Sequence, residues 1–255
     1  MTQQSDSMTG TLYLVSTPMG NWDELSPRAI QVLKDVDILV CEEWKTGRTL
    51  MRRIGLINAD ADSTDKKAHP LRPELLRMNE HDRAESTAEL FTLLASGKTI
   101  ALFSDSGAPV FADPGAELVR LCHQASIPVK HVSGASSLIS ALVVCGFSIE
   151  PFIYMGWLPR KPEERNTALA KLKQENATAI VMETPYRLMA LLESVKQTLG
   201  ANRLIAVCCN LTAENEHVQR GTVTDVIKYF EKHPEKPEFV LVIGGIREKL
   251  YGENI

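Results

Sequence analysis

Short apolar runs rich in β-branched residues alternate with amphipathic stretches along almost the whole chain, and this alternation is the feature that most restricts its fold. Ala29, Leu33 and Val36 share one face of a predicted helix, which has Ser26 as its N-cap and Pro27 at its first position. Alternating strands and helices predict an α/β fold, with parallel or mixed sheets covered by helices on both faces. The predicted strands span residues 11–16, 37–41, 99–104, 128–132, 152–156, 178–183, 204–209 and 239–243.

The length of 255 residues predicts two domains, because a domain averages about 150 residues. We expect an N-terminal α/β lobe at residues 10–127 and a C-terminal α/β lobe at residues 128–255, where a second strand and helix series begins. Residues 1–9 are polar and are expected to form a disordered leader, and residues 58–71 are expected to form a mobile surface loop. Residues 138–145 are apolar all round, which is typical of a helix enclosed between two layers.

The composition excludes several functional classes. A net charge of −4 and a pI of about 5.9 are not typical of a dedicated nucleic-acid binder, although a local basic patch can still bind RNA. The sequence has no run of 18 apolar residues that would indicate a membrane span, and its first residues do not have the pattern of a signal peptide. We therefore expect a cytoplasmic protein. The five cysteines form no C-x-x-C pair and the six histidines show no ligand spacing, which predicts buried reduced thiols and no metal site.

The junctions that follow the predicted strands differ from those that precede them. Helix-to-strand junctions such as residues 96–98 are short and plain, whereas strand-to-helix junctions are longer and rich in Gly, Pro, Ser and Asp. Ligands of open α/β sheets bind outside the carboxyl ends of the strands, so this asymmetry predicts a ligand cleft at that edge. The dinucleotide fingerprint, the P-loop and the G-x-S-x-G elbow are all absent, and no His lies near Ser106 to activate a serine nucleophile. The residues alone therefore predict a two-lobed α/β protein that binds a small ligand.

The junction motifs resemble those of the tetrapyrrole methylase superfamily, and most closely its ribosomal small-subunit RNA methyltransferase I branch. The resemblance covers nearly all of residues 10–245. It is carried by residues 15–21 (Val-Ser-Thr-Pro-Met-Gly-Asn), 104–109 (Ser-Asp-Ser-Gly-Ala-Pro), 113–115 (Asp-Pro-Gly), 156–161 (Gly-Trp-Leu-Pro-Arg-Lys), 183–188 (Glu-Thr-Pro-Tyr-Arg-Leu), 211–212 (Leu-Thr) and 238–242 (Glu-Phe-Val-Leu-Val).

This resemblance implies two αβα lobes with a cofactor cleft between them, a homodimer, and S-adenosylmethionine (SAM) as the cofactor. It also implies transfer of a methyl group to a ribose 2′-hydroxyl of small-subunit ribosomal RNA. Small residues suit such a site because they let the backbone approach the cofactor closely. Asp105 could pair with the ammonium group of the cofactor or could simply cap a turn. The implied cofactor contacts are Pro18, Gly20, Asp105, Gly107, Pro109, Ser133, Gly134, Ser136, Leu211 and Thr212.

Several positions depart from the branch pattern, mainly on the substrate side. Residues 42–45 read Glu-Glu-Trp-Lys where the branch shows Glu-Asp-Thr-Arg, and Asn210 and Ala213 replace two charged residues. A methyltransferase acting on a tetrapyrrole or another small molecule, and a non-catalytic SAM-binding module, are therefore alternative functions. A ribose hydroxyl is a weak nucleophile, and a general base would speed its methylation about 10²–10⁴-fold. The candidate bases, each of which could instead be a solvated or turn-capping carboxylate, are Glu80, Glu43 and Glu183.

Two basic groups are candidates for contacts with RNA phosphates. Lys45, Arg48 and Arg52 recur at i, i+3 and i+7, so they share one face of a predicted helix. Arg160, Lys161 and Arg165 form the second group. Solvated helix faces have the same pattern in sequence, so both interpretations of these cations stay open.

Overall fold

The computed structural model describes residues 9–57, 73–78 and 83–249. The chain divides into two compact units, Met1–Ser136 and Ser137–Ile255, each of which contains a five-stranded sheet. The expected leader, apart from its last residue, and the expected loop at residues 58–71 lie outside the described residues. No helix within the described ranges is long and apolar enough to cross a membrane.

The first unit is a parallel sheet with the strand order β3-β2-β4-β1-β5. Each strand except the last is followed by a helix that leads to the next strand, as the alternation predicted. The elements are β1 (Leu12–Val15), α1 (Pro27–Asp35), β2 (Ile38–Cys41), α2 (Trp44–Arg53), β3 (Glu74–Arg77), α3 (Arg83–Ala95), β4 (Ile100–Phe103), α4 (Ala116–Gln124) and β5 (Val129–Val132).

Helices cover both faces of the first sheet. Alternate strand residues point to opposite faces, so Phe103 packs with α1 and α2 while its neighbour Leu102 packs with α3 and α4. The predicted start of α1 is confirmed, since the Ser26 hydroxyl accepts a 3.1 Å hydrogen bond from the Ala29 N–H and Pro27 is the first helical residue. Residues 129–132 were predicted to belong to the C-terminal lobe, but they form β5, which pairs with β1 in this first sheet.

The second unit is a mixed sheet with the strand order β6-β7-β10-β8-β9. β6 and β7 are parallel, whereas β10 is antiparallel to β7 and β8, and β9 is antiparallel to β8. The elements are α5 (Ser137–Val144), β6 (Phe152–Trp157), α6 (Pro162–Ala170), β7 (Thr178–Met182), α7 (Leu188–Leu199), β8 (Leu204–Cys209), β9 (His217–Thr222), α8 (Val223–Lys232) and β10 (Phe239–Ile243).

Three elements of the structure differ from those predicted from the sequence. The strands β3 and β9 were not predicted, because edge strands are only half buried and lack the continuous apolar run of a central strand. The apolar helix α5 buries Leu138, Ala141 and Leu142, but it is not covered on all sides. Its residue Val143 is 73% exposed, so the prediction of a fully enclosed helix is wrong for this face.

Candidate functional site

The carboxyl edge of the first sheet has the geometry of a ligand crevice. β1 and β4 are neighbours, and the chain leaves β1 towards α1 on one face of the sheet and leaves β4 towards α4 on the other face. Open α/β sheets bind their ligands at such a switch point, where the two departing loops diverge. The edge that was predicted to bind a ligand is therefore the edge of the first sheet at which the loops after β1 and β4 diverge.

Two of the predicted loops are joined by hydrogen bonds at this edge. The N–H of Thr17 donates to the carbonyl of Gly107 at 2.9 Å, and the N–H of Gly107 donates to the carbonyl of Thr17 at 3.1 Å. The Thr17 hydroxyl also donates to the carbonyl of Ser104 at 2.9 Å. Gly107 has a φ of 79°, a left-handed conformation that glycine adopts without steric cost.

The loop that follows β5 meets the same two loops. A Cβ atom added at Gly134 would lie 3.0 Å from the Cβ of Ser16, so only glycine fits at this point without displacing its neighbour. A Cβ at Gly107 would lie 3.6 Å from the carbonyl oxygen of Ala135 and 3.6 Å from the Cγ of Met19. Eight of the ten predicted cofactor contacts, all except Leu211 and Thr212, are thus carried by three loops that converge at one edge of the first sheet.

Two half-buried carboxyl groups lie at this edge, those of Asp105 and Asp113. Burial raises the pKa of Asp105, and the carboxylates of Asp113 and Glu43 raise it further, although interactions with the Glu43 N–H and the Thr46 side chain lower it. Burial also raises the pKa of Asp113, against the opposing effect of a hydrogen bond with Ser104. Within the described part of the chain, one buried oxygen of each carboxyl group has no hydrogen-bond partner. Such a pair would be stabilised by a cationic ligand.

Asp113 was not among the predicted site residues, although it lies in the Asp-Pro-Gly motif that contributes to the family resemblance. The motif alone does not distinguish a ligand contact from a turn, because Asp, Pro and Gly are ordinary turn residues. A second signal in the same loop is Val110, a β-branched residue with a φ of 71°. Strained residues of this kind cluster at ligand sites and switch regions, where the surrounding structure stabilises them.

The remaining two predicted cofactor contacts lie in the second unit. Leu211 and Thr212 follow the carboxyl end of β8, where Leu211 is buried and Thr212 has a φ of 68°. The N–H of Thr212 donates to the carboxylate of Glu216, and the N–H of Asn210 donates to the carbonyl of Glu238 at 2.8 Å. The left-handed backbone at Thr212 turns this loop sharply as it leaves β8.

The three candidate bases have different surroundings. Glu43 is exposed at the N-cap of α2, close enough to Asp105 to raise the pKa of that carboxyl. Glu183 is buried after β7, where its Oε1 accepts a 2.8 Å hydrogen bond from the Thr184 N–H and its Oε2 lies 2.9 Å from a guanidinium nitrogen of Arg187. Glu80 lies outside the described residues. Of the two that are described, only Glu43 is therefore both exposed and adjacent to the crevice of the first unit.

The predicted phosphate contacts are exposed, with one correction. Lys45 and Arg52 are exposed on α2 with Arg48 half-buried between them, and Arg160 and Lys161 are exposed before α6. Arg165, by contrast, is buried, and its guanidinium donates to the Ser194 hydroxyl at 2.9 Å and to two backbone carbonyls. The grouping of Arg165 with phosphate-binding cations is therefore wrong, because its donors are used to join α6 to α7.

The comparisons with known proteins agree with this architecture. The family described as Tetrapyrrole (Corrin/Porphyrin) Methylases matches residues 11–227. The chain is 36% identical over 236 residues to the ribosomal RNA small subunit methyltransferase I of Synechocystis, covering 92% of this chain and 79% of that protein. It is 34% identical to the protein of the same name from Thermotoga maritima, covering 92% of this chain and 99% of that protein.

The fold is also similar to that of a solved methyltransferase structure. Uroporphyrin-III C-methyltransferase from Thermus thermophilus, complexed with S-adenyl homocysteine, superimposes with a TM-score of 0.58 at 15% sequence identity. The similarity covers 92% of this chain and 97% of that one. At this level of identity the likeness concerns the fold alone.

Proposed function

The chain belongs to the tetrapyrrole (corrin/porphyrin) methylase family and is a SAM-dependent methyltransferase, and we propose that its acceptor is a ribose 2′-hydroxyl of small-subunit ribosomal RNA. The proposal is supported by relatives that carry the name ribosomal RNA small subunit methyltransferase I and match more than nine-tenths of this chain. We also propose that the protein forms a homodimer, as the resemblance implies, and that it acts in the cytoplasm.

The residues at the edge of the first sheet fit the proposed cofactor position. SAM carries a sulfonium and an ammonium group, and the unpartnered oxygens of Asp105 and Asp113 suit a cation. The close approach at Gly134 and the left-handed backbone at Gly107 suit a ligand that packs directly against the main chain. Leu211 and Thr212 remain predicted contacts from the second unit.

When bound, SAM supplies an electrophilic methyl group, and the protein must bring the acceptor oxygen in line with it. Orientation of this kind can lower the barrier by about 7–11 kcal/mol. Among the described candidates, we favour Glu43 as the residue that accepts the hydroxyl proton, because it is exposed at the crevice and neighbours Asp105. Glu183 is instead held in an ion pair and is better suited to fixing its turn.

The basic residues of α2 support an RNA acceptor. Lys45 and Arg52 project into solvent from α2, whose N-cap is Glu43, so phosphates held along this helix would pass the carboxylate of Glu43. Phosphate contacts position a nucleic acid without reading its bases. Binding through them should weaken steeply as the salt concentration rises.

The proposal is tested by incubating the protein with labelled SAM and small ribosomal subunits or their RNA. We expect label in the RNA, an approximately 10²-fold slower rate for Glu43→Gln, and an unchanged rate for Glu89→Gln, which alters an exposed carboxylate on α3. SAM binding without label in RNA at any stage of subunit assembly would contradict the proposal. Label in the small-molecule fraction of a cell extract would instead indicate a small-molecule acceptor.

A further inference from the structure

Several side chains that are not part of the proposed cofactor site lie at the carboxyl edge of the second sheet. β6, β7 and β8 end at this edge, and the antiparallel strands β10 and β9 begin there, as the pairs Val240 with Met182 and Cys209 with His217 indicate. Trp157 ends β6 and is 50% exposed, and Tyr186 follows β7 and is 80% exposed. Two large aromatic side chains therefore face solvent on neighbouring strand ends.

An open groove of about 500 Å³ lies further along this edge, between the β8–β9 loop and the end of α8. Its volume is within the range of about 300–1,000 Å³ that small-ligand sites occupy. We call it the α8 groove, and it is lined mainly by Asn210, Asn215, His217, Tyr229, His233 and Lys236.

The α8 groove contains a cluster of planar rings. The imidazole of His233 stacks on the ring of Tyr229 with centroids 4.2 Å apart and an interplanar angle of 22°. The imidazole of His217 lies 6.4 Å from the same ring at an angle of 50°. Planar rings of this kind are the surfaces on which proteins stack unpaired bases.

Hydrogen bonds fix which nitrogen of each imidazole is available to a ligand. The Nδ1 of His233 lies 2.9 Å from the carbonyl oxygen of Tyr229, and the Nδ1 of His217 lies 3.2 Å from the carbonyl oxygen of Asn215. A carbonyl oxygen only accepts, so Nδ1 carries the proton in both rings. The Nε2 of each imidazole takes no part in these bonds, and it accepts from a ligand donor when the ring is neutral.

Polar and charged groups complete the α8 groove. The amide side chains of Asn210 and Asn215 can each donate and accept, which matches the mixed edges of nucleobases. The ammonium group of Lys236 lies 4.8 Å from the ring centroid of Tyr186, which places a cation beside an exposed stacking surface. Glu235 also lines the groove, where its carboxylate can accept from an exocyclic amino group but disfavours a phosphate beside it.

We propose that the α8 groove binds an unpaired nucleobase of single-stranded RNA, with Lys236 contacting the adjoining phosphate. The proposal rests on the proposed function and assigns a base-contacting site in the second unit, where neither α2 nor the loops of the first sheet contribute. Rings, amides and a single cation together favour a nucleotide over a simple anion, because an anion would not use the ring faces. The neighbouring Tyr186 and Trp157 offer stacking surfaces for the next bases along the same edge.

The proposal is tested with a fluorescein-labelled single-stranded RNA decamer of mixed sequence, followed by fluorescence anisotropy. Stacking on an aromatic residue has an effect that corresponds to an affinity change of about 5- to 150-fold per base. We expect weakening in this range for Tyr229→Leu and for His217→Ala combined with His233→Ala, and a smaller, salt-dependent loss for Lys236→Ala. A duplex RNA of the same length should bind wild type and Tyr229→Leu equally.

Matched controls separate this site from general charge and folding effects. His123→Ala removes an exposed imidazole from α4, and Lys173→Ala removes an exposed cation from the segment that precedes β7, at the opposite edge of the second sheet. Both should bind the decamer like wild type. Because Lys236 is exposed, Lys236→Ala should leave the unfolding midpoint unchanged even if Tyr229→Leu lowers it.

Calorimetry with SAM distinguishes the failure of this inference from that of the proposed function. SAM affinity should be the same in wild type and in the groove variants. A parallel loss of SAM affinity would mean that the α8 groove holds the adenine of the cofactor and would overturn the assignment to RNA. Unchanged decamer affinity in all groove variants would also overturn it, even if ribosomal RNA is methylated. A wild type that binds the decamer through the groove but never methylates RNA would contradict the proposed function alone.

Discussion

The buried ion pair between Glu183 and Arg187 provides a quantitative test of the roles assigned to the second unit. The side chain of Glu183 is only 2% exposed and that of Arg187 is 25% exposed. The guanidinium nitrogen approaches Oε2 at 2.9 Å but off the line of a hydrogen bond, so attraction between the charges dominates the contact. Replacing Arg187 with Met would leave a buried carboxylate without its counter-charge.

Breaking a buried ion pair from one side costs about 3–5 kcal/mol. We expect the lower end, about 3 kcal/mol, because Arg187 is partly solvated and the Thr184 N–H still donates to Oε1. In a chain of this size, the unfolding midpoint should fall by about 6–12 °C. Glu183→Gln should cost less, about 1 kcal/mol, because the arginine that loses its partner can still be solvated.

Thermal and urea unfolding followed by circular dichroism would measure these losses. The double variant Glu183→Gln with Arg187→Met should be less destabilised than the sum of its parts by about 2 kcal/mol, the coupling between two contacting charges. An Arg187→Met variant within about 0.5 kcal/mol of wild type, or strictly additive losses, would refute the reasoning. The methylation rate of folded Glu183→Gln should match wild type, whereas a large loss of rate at full stability would make Glu183 the base.

Three further predictions concern the first sheet and the thiols. Gly134→Val should weaken SAM binding in calorimetry about tenfold, or about 1.4 kcal/mol, because its side chain would displace Ser16; an unchanged affinity would contradict the close contact. The pKa of Asp105 is raised on folding, so its carboxyl stabilises the fold at low pH and loses that contribution as the pH rises through the raised pKa. The Asp105→Asn variant should therefore be more stable than wild type at pH 7 but not at pH 3, and it should bind SAM more weakly. Burial raises the pKa of Cys208 and Cys209 to about 12, so iodoacetamide at pH 8 should label them only after unfolding, and rapid labelling of the native protein would contradict their burial.

The sequence by itself determined the class of fold and the loops that are proposed to hold the cofactor. Strand and helix periods depend on neighbours within a few residues, so the alternation predicted the α/β fold and the start of α1 at Ser26 and Pro27. Turn residues with special backbone conformations are also local, which is why the loops after β1, β4 and β5 could be identified from their motifs.

Only the tertiary structure decided which charged groups are available for function. Arg165 lies near other cations in sequence but donates to Ser194, 29 residues away. Asp113 is half-buried close enough to Asp105 to raise the pKa of that carboxyl, although eight residues separate the two in the chain. The edge strands β3 and β9 likewise depend on pairing with β2 and β8 rather than on a strong apolar run of their own. Contacts between distant segments decide whether a charged side chain is buried and which group it pairs with. A local sequence pattern does not contain this information.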